Sequence, residues 1–314
     1  MDKISTLPRA FDTTVLLFTF EAYSRLLLAN SSGIRSVTRE THKYGPSPRH
    51  FLDIYFPDTP SPPGEKKTVL IFFHGGGFFA GSRVNEEYAG GLIFGNIGRY
   101  FTWKLNMTVI VPDYRLLEHG AMYPSGGEDV AFVVKWVREK LGLLKEGYGK
   151  DGVDIVLLGN SAGGVHVAAF LFDPVFEEVR RDVDVGLRGV IFLGTPFHWG
   201  GKEQYDENVE RYLGKGKVGE NAPIGILEDV IRRTGSAPSL KECKVLIMLS
   251  EFDPEVLFES ARDLENVWKG QEIETQVLEG HNHFSPQLGL GTGIEREEAW
   301  GVRVAEFISS CVDG

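Results

Sequence analysis

Seven stretches of the chain set apolar residues side by side rather than at helical spacing. They are Leu52-Asp53-Ile54-Tyr55-Phe56, Val69 to Phe73, Thr108 to Val111, Ile155 to Leu158, Gly189 to Leu193, Val245 to Leu249 and Thr275 to Leu278. Most are continuous and rich in Val, Ile and Leu. A strand with one wet face alternates apolar and polar positions, whereas a strand covered by helices on both faces does not. The runs therefore predict an α/β fold with a mainly parallel central sheet and helices on both faces. Near the N-terminus the spacing changes: Val15, Phe18, Ala22 and Leu26 fall on one helical stripe, the pattern of a helix packed against its own domain. In open sheets of this kind the active-site loops gather at the C-terminal ends of the strands.

Four such ends carry candidate chemistry. The run Val153 to Leu158 leads into Gly159-Asn160-Ser161-Ala162-Gly163 and then the helix-forming stretch Val165 to Phe170. A serine is thus presented at a strand-to-helix turn, with glycines where a side chain would collide with neighbouring elements. The following helix aims N–H groups and partial positive charge at any oxyanion above that serine. Upstream, Thr68 to Phe73 runs into His74-Gly75-Gly76-Gly77-Phe78, whose glycines leave backbone amides unshielded. Downstream, Lys244 to Ser250 ends in Glu251-Phe252-Asp253-Pro254, and Ile273 to Leu278 leads to Glu279-Gly280-His281-Asn282-His283-Phe284. The order is nucleophile, then acid, then histidine, which among serine hydrolases is the α/β-hydrolase order.

With Asp113-Tyr114-Arg115-Leu116, Tyr123-Pro124 and Glu128-Asp129, these segments span nearly the whole chain. It resembles the serine esterases of the α/β-hydrolase superfamily, in the branch of hormone-sensitive-lipase-like carboxylesterases and kynurenine-formamidase-like enzymes. The resemblance implies an α/β-hydrolase fold with a small helical cap, Ser161 as nucleophile, Asp253 as acid, and oxyanion donors at Gly76, Gly77 and Ala162. The base lies in the pair His281 and His283. The family's base is followed closely by an aromatic residue, which favours His283 (before Phe284) and leaves His281 as the alternative that would orient its neighbour. Asn160 stands where the lipase-like enzymes carry Asp, and the segment 117–122 lacks their prolines, so substrate preference is not carried over.

The implied reaction is cleavage of a carboxylic ester through an acyl-enzyme, with no metal or organic cofactor. The same triad would serve an amidase, an arylformamidase or a natural-product tailoring hydrolase, and a ligand receptor can be built on this scaffold as well. Phe78, Phe79, Phe197, His198, Trp199 and Tyr205 are candidate pocket residues, each of which also fits core packing. His74 reads as a brace for the glycine loop, Glu251 as a hydrogen-bonding partner near the site, and Asp113 with Arg115 as scaffold.

Composition narrows the partners. The 314 residues are 42% hydrophobic with a net charge of −11. Such a chain can bury a large core, and its charge opposes a nucleic-acid surface. A single domain over 1–314 is expected, with cap elements in 1–45 and 195–234, since only the short turn Pro60 to Glu65 interrupts the early strands. Cys243 and Cys311 are the only cysteines, which excludes a multi-bridge disulfide framework. Glu21 and Arg25 break the apolar stretch that begins at Val15, so no membrane span is expected. No convincing leader precedes it, and cytoplasmic residence acting on a small-molecule ester or amide is the expectation.

Overall fold

The computed structural model describes residues 4–59, 67–142, 153–183, 186–201, 205–238, 240 and 243–312. The turn expected at 60–65 lies outside the described residues. Eight strands form one sheet: β1 (Thr38–Lys43), β2 (Phe51–Phe56), β3 (Lys67–Phe73), β4 (Thr108–Pro112), β5 (Val153–Asn160), β6 (Leu187–Leu193), β7 (Lys244–Ser250) and β8 (Ile273–Leu278). Their spatial order is β1-β2-β4-β3-β5-β6-β7-β8. Strand β2 runs antiparallel to both neighbours, and the remaining pairs are parallel. Each of the seven apolar runs is one of β2 to β8. Strand β1, Thr-Arg-Glu-Thr-His-Lys, has no apolar signal: it lies at the sheet edge, almost entirely exposed, where pairing needs backbone bonds and little burial.

Burial on both faces explains the unbroken apolar runs. In β3, Val69, Ile71 and Phe73 belong to one core cluster while Leu70 and Phe72 belong to another, and β5 and β7 divide in the same way. The first core is closed by the helices Ser125–Trp136, Ala162–Phe172, Pro223–Thr234 and Glu255–Val267. The second is closed by Thr13–Ala29, Gly95–Leu105 and Glu295–Val312. A smaller third cluster joins Phe78, Ala162 and Val165 to Trp199, Val209, Tyr212 and Leu213, laying the helix Glu207–Leu213 against the serine turn and the glycine loop.

The N-terminal helix is rotated from the orientation its apolar spacing predicts. Val15, Thr19, Phe20, Tyr23 and Leu27 are buried, whereas Phe18 is 59% exposed and Ala22 faces solvent. The inward polar tips are satisfied: the Thr19 hydroxyl donates to the Val15 carbonyl at 2.7 Å, and the Tyr23 hydroxyl donates to Glu297 at 2.5 Å. Once paired, they cost little to bury, so the Thr/Tyr face could turn inward in place of Phe18.

Candidate active site

Strand β5 ends at Asn160 and the next helix begins at Ala162, so Ser161 alone makes the turn, with φ 50° and ψ −118°. A non-glycine residue in that region costs about 1–3 kcal/mol and persists only where its surroundings fix it. Here the Ser161 amide donates to the Leu193 carbonyl at 2.8 Å, and its carbonyl accepts from Gly164 at 2.9 Å and Val165 at 3.2 Å. The glycines give the room: a Cβ on Gly163 would lie 2.2 Å from the Phe73 carbonyl oxygen, and one on Gly159 2.5 Å from the Gly164 Cα. Gly163→Ala is therefore expected to lower stability by about 1–3 kcal/mol, with activity falling further than stability because β3 and the serine must separate. Urea unfolding alongside ester turnover would measure both; an unchanged midpoint would contradict that packing.

The serine begins a hydrogen-bonded row. His283 Nε2 lies 2.9 Å from Ser161 Oγ, and His283 Nδ1 lies 2.8 Å from Asp253 Oδ1. Asp253 is fully buried, and its other oxygen accepts the Ser250 amide at 2.7 Å. The carboxylate is thus fixed by the end of β7 while its free lone pair addresses the imidazole. Gly194, after β6, lets the ring come close, since a Cβ there would sit 3.0 Å from His283 Cε1. His281 takes another direction. Its Nδ1 pairs with the Ser285 hydroxyl at 2.8 Å, the side chain is buried, and burial lowers its pKa to about 4. Glu251 accepts the Gly280 amide at 2.7 Å and so ties down the loop that carries both histidines.

The glycine loop runs beside the serine: a Cβ on Gly75 would approach Ser161 Cβ to 3.3 Å. Gly76 and Gly77 take φ of 136° and 58°, values that favour glycine. Among the described residues the amides of Gly76, Gly77 and Ala162 donate to no protein atom. The carbonyls on the other side are held. Tyr114 donates its hydroxyl to the His74 carbonyl at 2.9 Å, and His74 Nδ1 donates to the Gly75 carbonyl at 2.7 Å. Burial lowers the His74 pKa to about 4, which keeps the ring neutral with one N–H to give. Arg49 binds the carbonyls of Tyr114 and Gly81, and the Arg83 amide donates to Asp113 at 2.6 Å. Arg115 is bound to Glu128 and Asp129 beneath.

The other candidate pocket residues separate into groups. Phe197 is fully buried against Phe192, at 5.1 Å between centroids, and belongs to the core. His198 pairs with Asp263 at 2.9 Å and is engaged at the surface. Phe78 is enclosed and stacks on Tyr212 at 4.2 Å and 3°, with Trp199 at 6.3 Å. Phe79 is half exposed beside Gly77. Two contacts have no signature in the sequence. The Tyr212 hydroxyl accepts from the Gly126 amide at 3.1 Å and meets His166 Nδ1 at 3.1 Å, inside the helix that follows the serine. Phe11, from the N-terminal segment, packs edge-on against His283 with centroids 4.6 Å apart.

Solved structures share this arrangement of chain. The Francisella virulence factor BioJ superposes with a TM-score of 0.63 at 18% identity, covering 98% of this chain and 95% of that one. The chain is an α/β-hydrolase by fold. A Pyrobaculum calidifontis esterase matches this chain with a TM-score of 0.61 at 19% identity over 98% of this chain and 95% of its own. Thermogutta terrifontis esterase 2 gives 0.61 at 20% over 85% and 94%. The family model described as BD-FAE matches residues 52–172 of the chain, from β2 through the helix after Ser161. Among curated proteins it is similar to the para-nitrobenzyl esterase of Bacillus subtilis (strain 168), 28% identical over 134 residues, 40% of this chain and 24% of that protein. It is also similar to the acetylcholinesterase of Danio rerio, 25% identical over 133 residues, 40% of this chain and 19% of that one. The chain thus spans about a quarter or less of the length of these relatives. No described helix is long and apolar enough to cross a membrane.

Proposed function

We propose that this chain is a serine carboxylesterase acting through an acyl-enzyme. The observation that carries the reading is the continuous row from Ser161 Oγ through His283 to Asp253, next to a loop whose Gly76 and Gly77 amides have no protein acceptor. His283 Nε2 takes the Ser161 proton as Oγ attacks the ester carbonyl carbon, and the carbonyl π pair moves onto oxygen. The amides of Gly76, Gly77 and Ala162 receive that oxyanion; removing one such preset donor costs about 3 to 4 kcal/mol in activation energy. Asp253 holds the imidazole tautomer and stabilises the imidazolium. The tetrahedral adduct collapses, the C–O bond to the alcohol breaks, and His283 returns its proton to the departing oxygen. His283 then takes a proton from water as it attacks the acyl carbon, and when the second adduct collapses the bond from that carbon to Ser161 Oγ breaks, His283 returns the proton to Oγ, and the acid leaves.

The cap belongs to the same reading. Within the ranges 1–45 and 195–234 the reading puts the cap at the segment around Phe11 and the helix Glu207–Leu213, supported by the Phe11–His283 contact and the Phe78–Tyr212 stack. The substrate is a small-molecule ester. Cys243 and Cys311 are buried thiols not joined in a disulfide, which suits the reducing cytoplasm inferred for the protein.

A fluorophosphonate probe tests the reading directly: covalent labelling at Ser161 and a burst on p-nitrophenyl butyrate are expected, and a protein that neither labels nor turns over esters or N-formyl aromatic amines is not a serine hydrolase. The role of the base is tested separately. His283→Ala is expected to lose about 10⁴-fold or more in kcat, as when one member of a catalytic unit is removed. His281→Ala is expected to retain kcat within about tenfold while losing about 1–3 kcal/mol of stability, because its ring fills a buried site. The reverse ranking in kcat would assign the base to His281.

A further inference from the structure

The chemistry fixes which part of an ester lies beside the imidazole. The proton removed from Ser161 must pass from His283 to the departing oxygen, so the alcohol portion lies within hydrogen-bond reach of Nε2. The carbonyl oxygen points instead to the amides of Gly76, Gly77 and Ala162. Whatever side chain flanks His283 on its open side therefore touches the alcohol and not the oxyanion.

Two rings flank the imidazole edge-on: Phe284, with its centroid 5.3 Å away, packs against the second core, and Phe11, 4.6 Å away, is the exposed one. Its ring meets the imidazole at 78°, in edge-to-face contact, yet 44% of the residue stays exposed, so an apolar surface remains free next to the base. Several contacts hold it there. Ile4 is buried, the Arg9 guanidinium lies 5.7 Å over the Phe252 ring, and Asp12 caps the N-terminal helix by accepting the Val15 amide at 2.8 Å. One turn further, the Thr19 hydroxyl accepts the Asn282 side-chain amide at 2.8 Å, and Asn282 Oδ1 accepts the amides of Phe284 and Ser285 at 3.0 Å. The N-terminal segment and the histidine loop are therefore tied together, and Phe11 moves with the base rather than independently of it.

We propose that Phe11 is the wall of the alcohol subsite and that it selects esters with a flat, aryl-type leaving group, for which an exposed phenyl edge or face is a matched surface. This rests on the serine esterase reading above. Phe11 is not among the pocket candidates read from the sequence, of which Phe78 and Phe79 adjoin the glycine loop, on the oxyanion side.

The test varies one half of the ester at a time. Acetates of ethanol, cyclohexanol, phenol and 2-naphthol all give the same acetyl-enzyme, so differences among them report on acylation and on the alcohol alone. With p-nitrophenol fixed, acyl chains from acetate to octanoate report on the acyl side. Phe11→Ala is expected to lower kcat/KM for phenyl and 2-naphthyl acetate by about tenfold relative to ethyl acetate, the size of a lost aromatic contact. The loss should fall on kcat/KM rather than on hydrolysis of the shared acetyl-enzyme, the acyl-length profile should keep its shape, and Phe11→Tyr should restore the aryl preference. An equal drop for all four alcohols, or a changed acyl profile, would overturn the subsite while leaving the esterase reading in place. Wild-type protein that shows no turnover and no fluorophosphonate labelling would overturn both.

Discussion

Ser161→Ala is expected to abolish the burst and fluorophosphonate labelling and to lower kcat/KM on p-nitrophenyl butyrate by about 10⁴-fold or more, with the unfolding midpoint nearly unchanged. The size follows from the cooperation in the row: without Oγ the imidazole has no proton to take, and the residual rate is what the oxyanion amides and binding alone can give. The fold should tolerate the change because the backbone at 161 is held by bonds from its own amide and carbonyl, to Leu193, Gly164 and Val165, none of which involves the hydroxyl. Single-turnover kinetics with mass spectrometry of the trapped acyl-enzyme would measure it. Retention of even a hundredth of the wild-type rate would mean that another group attacks the carbonyl.

A steep loss of stability on the acid side is expected between about pH 6.5 and pH 4. Burial lowers the pKa of His74 to about 4, of His166 to about 3 and of His281 to about 4. In the unfolded chain all three titrate near about 6.5. Between those values the unfolded state binds protons that the folded state refuses, so the stability held by three neutral histidines is complete above about pH 6.5 and drains as pH falls toward the folded pKa values. Each contributes a slope of about 1.4 kcal/mol per pH unit within that window. Their surroundings leave no cheap way to accept the charge: His166 lies among Phe78, Tyr114 and Tyr212, and His74 stacks on Tyr114 at 4.4 Å. Urea midpoints at pH 7.5, 6.0 and 5.0 would record the slope. His281→Gln should make it shallower by about one proton's share. A midpoint flat down to pH 4.5 would show that these rings are not held neutral.

Much of this was readable along the chain because it depends on local pattern. The strands β2 to β7 were marked by apolar runs, a consequence of sheet faces covered on both sides, while β8, at the sheet edge and largely exposed, was marked by alternation. The serine turn and the glycine loop were marked because sharp reversals and bare amides demand glycine at set spacings. The order of Ser161, Asp253 and a histidine, His281 or His283, was visible because each residue ends a strand or follows one. Where local pattern was silent, so was the sequence. Strand β1 buries nothing and had no signal, and the helix beginning at Thr13 could turn its Thr19 and Tyr23 face inward only because Val15 and Glu297 accept from them.

The sequence by itself determined the α/β layering, the position of the serine turn and the short set of candidate acids and bases, since those follow from periodicity and from glycine's backbone freedom. Only the tertiary structure decided between His281 and His283 as the partner of Ser161, sent Phe197 to the core and His198 to the surface, and brought Phe11 to the imidazole. Those outcomes depend on which side chains meet in space, some of them far apart in the chain: 65 residues for His198 and Asp263 and 122 for Ser161 and His283. Such meetings are set by how the two cores pack and where hydrogen bonds such as Thr19–Asn282 close, and no local spacing encodes them.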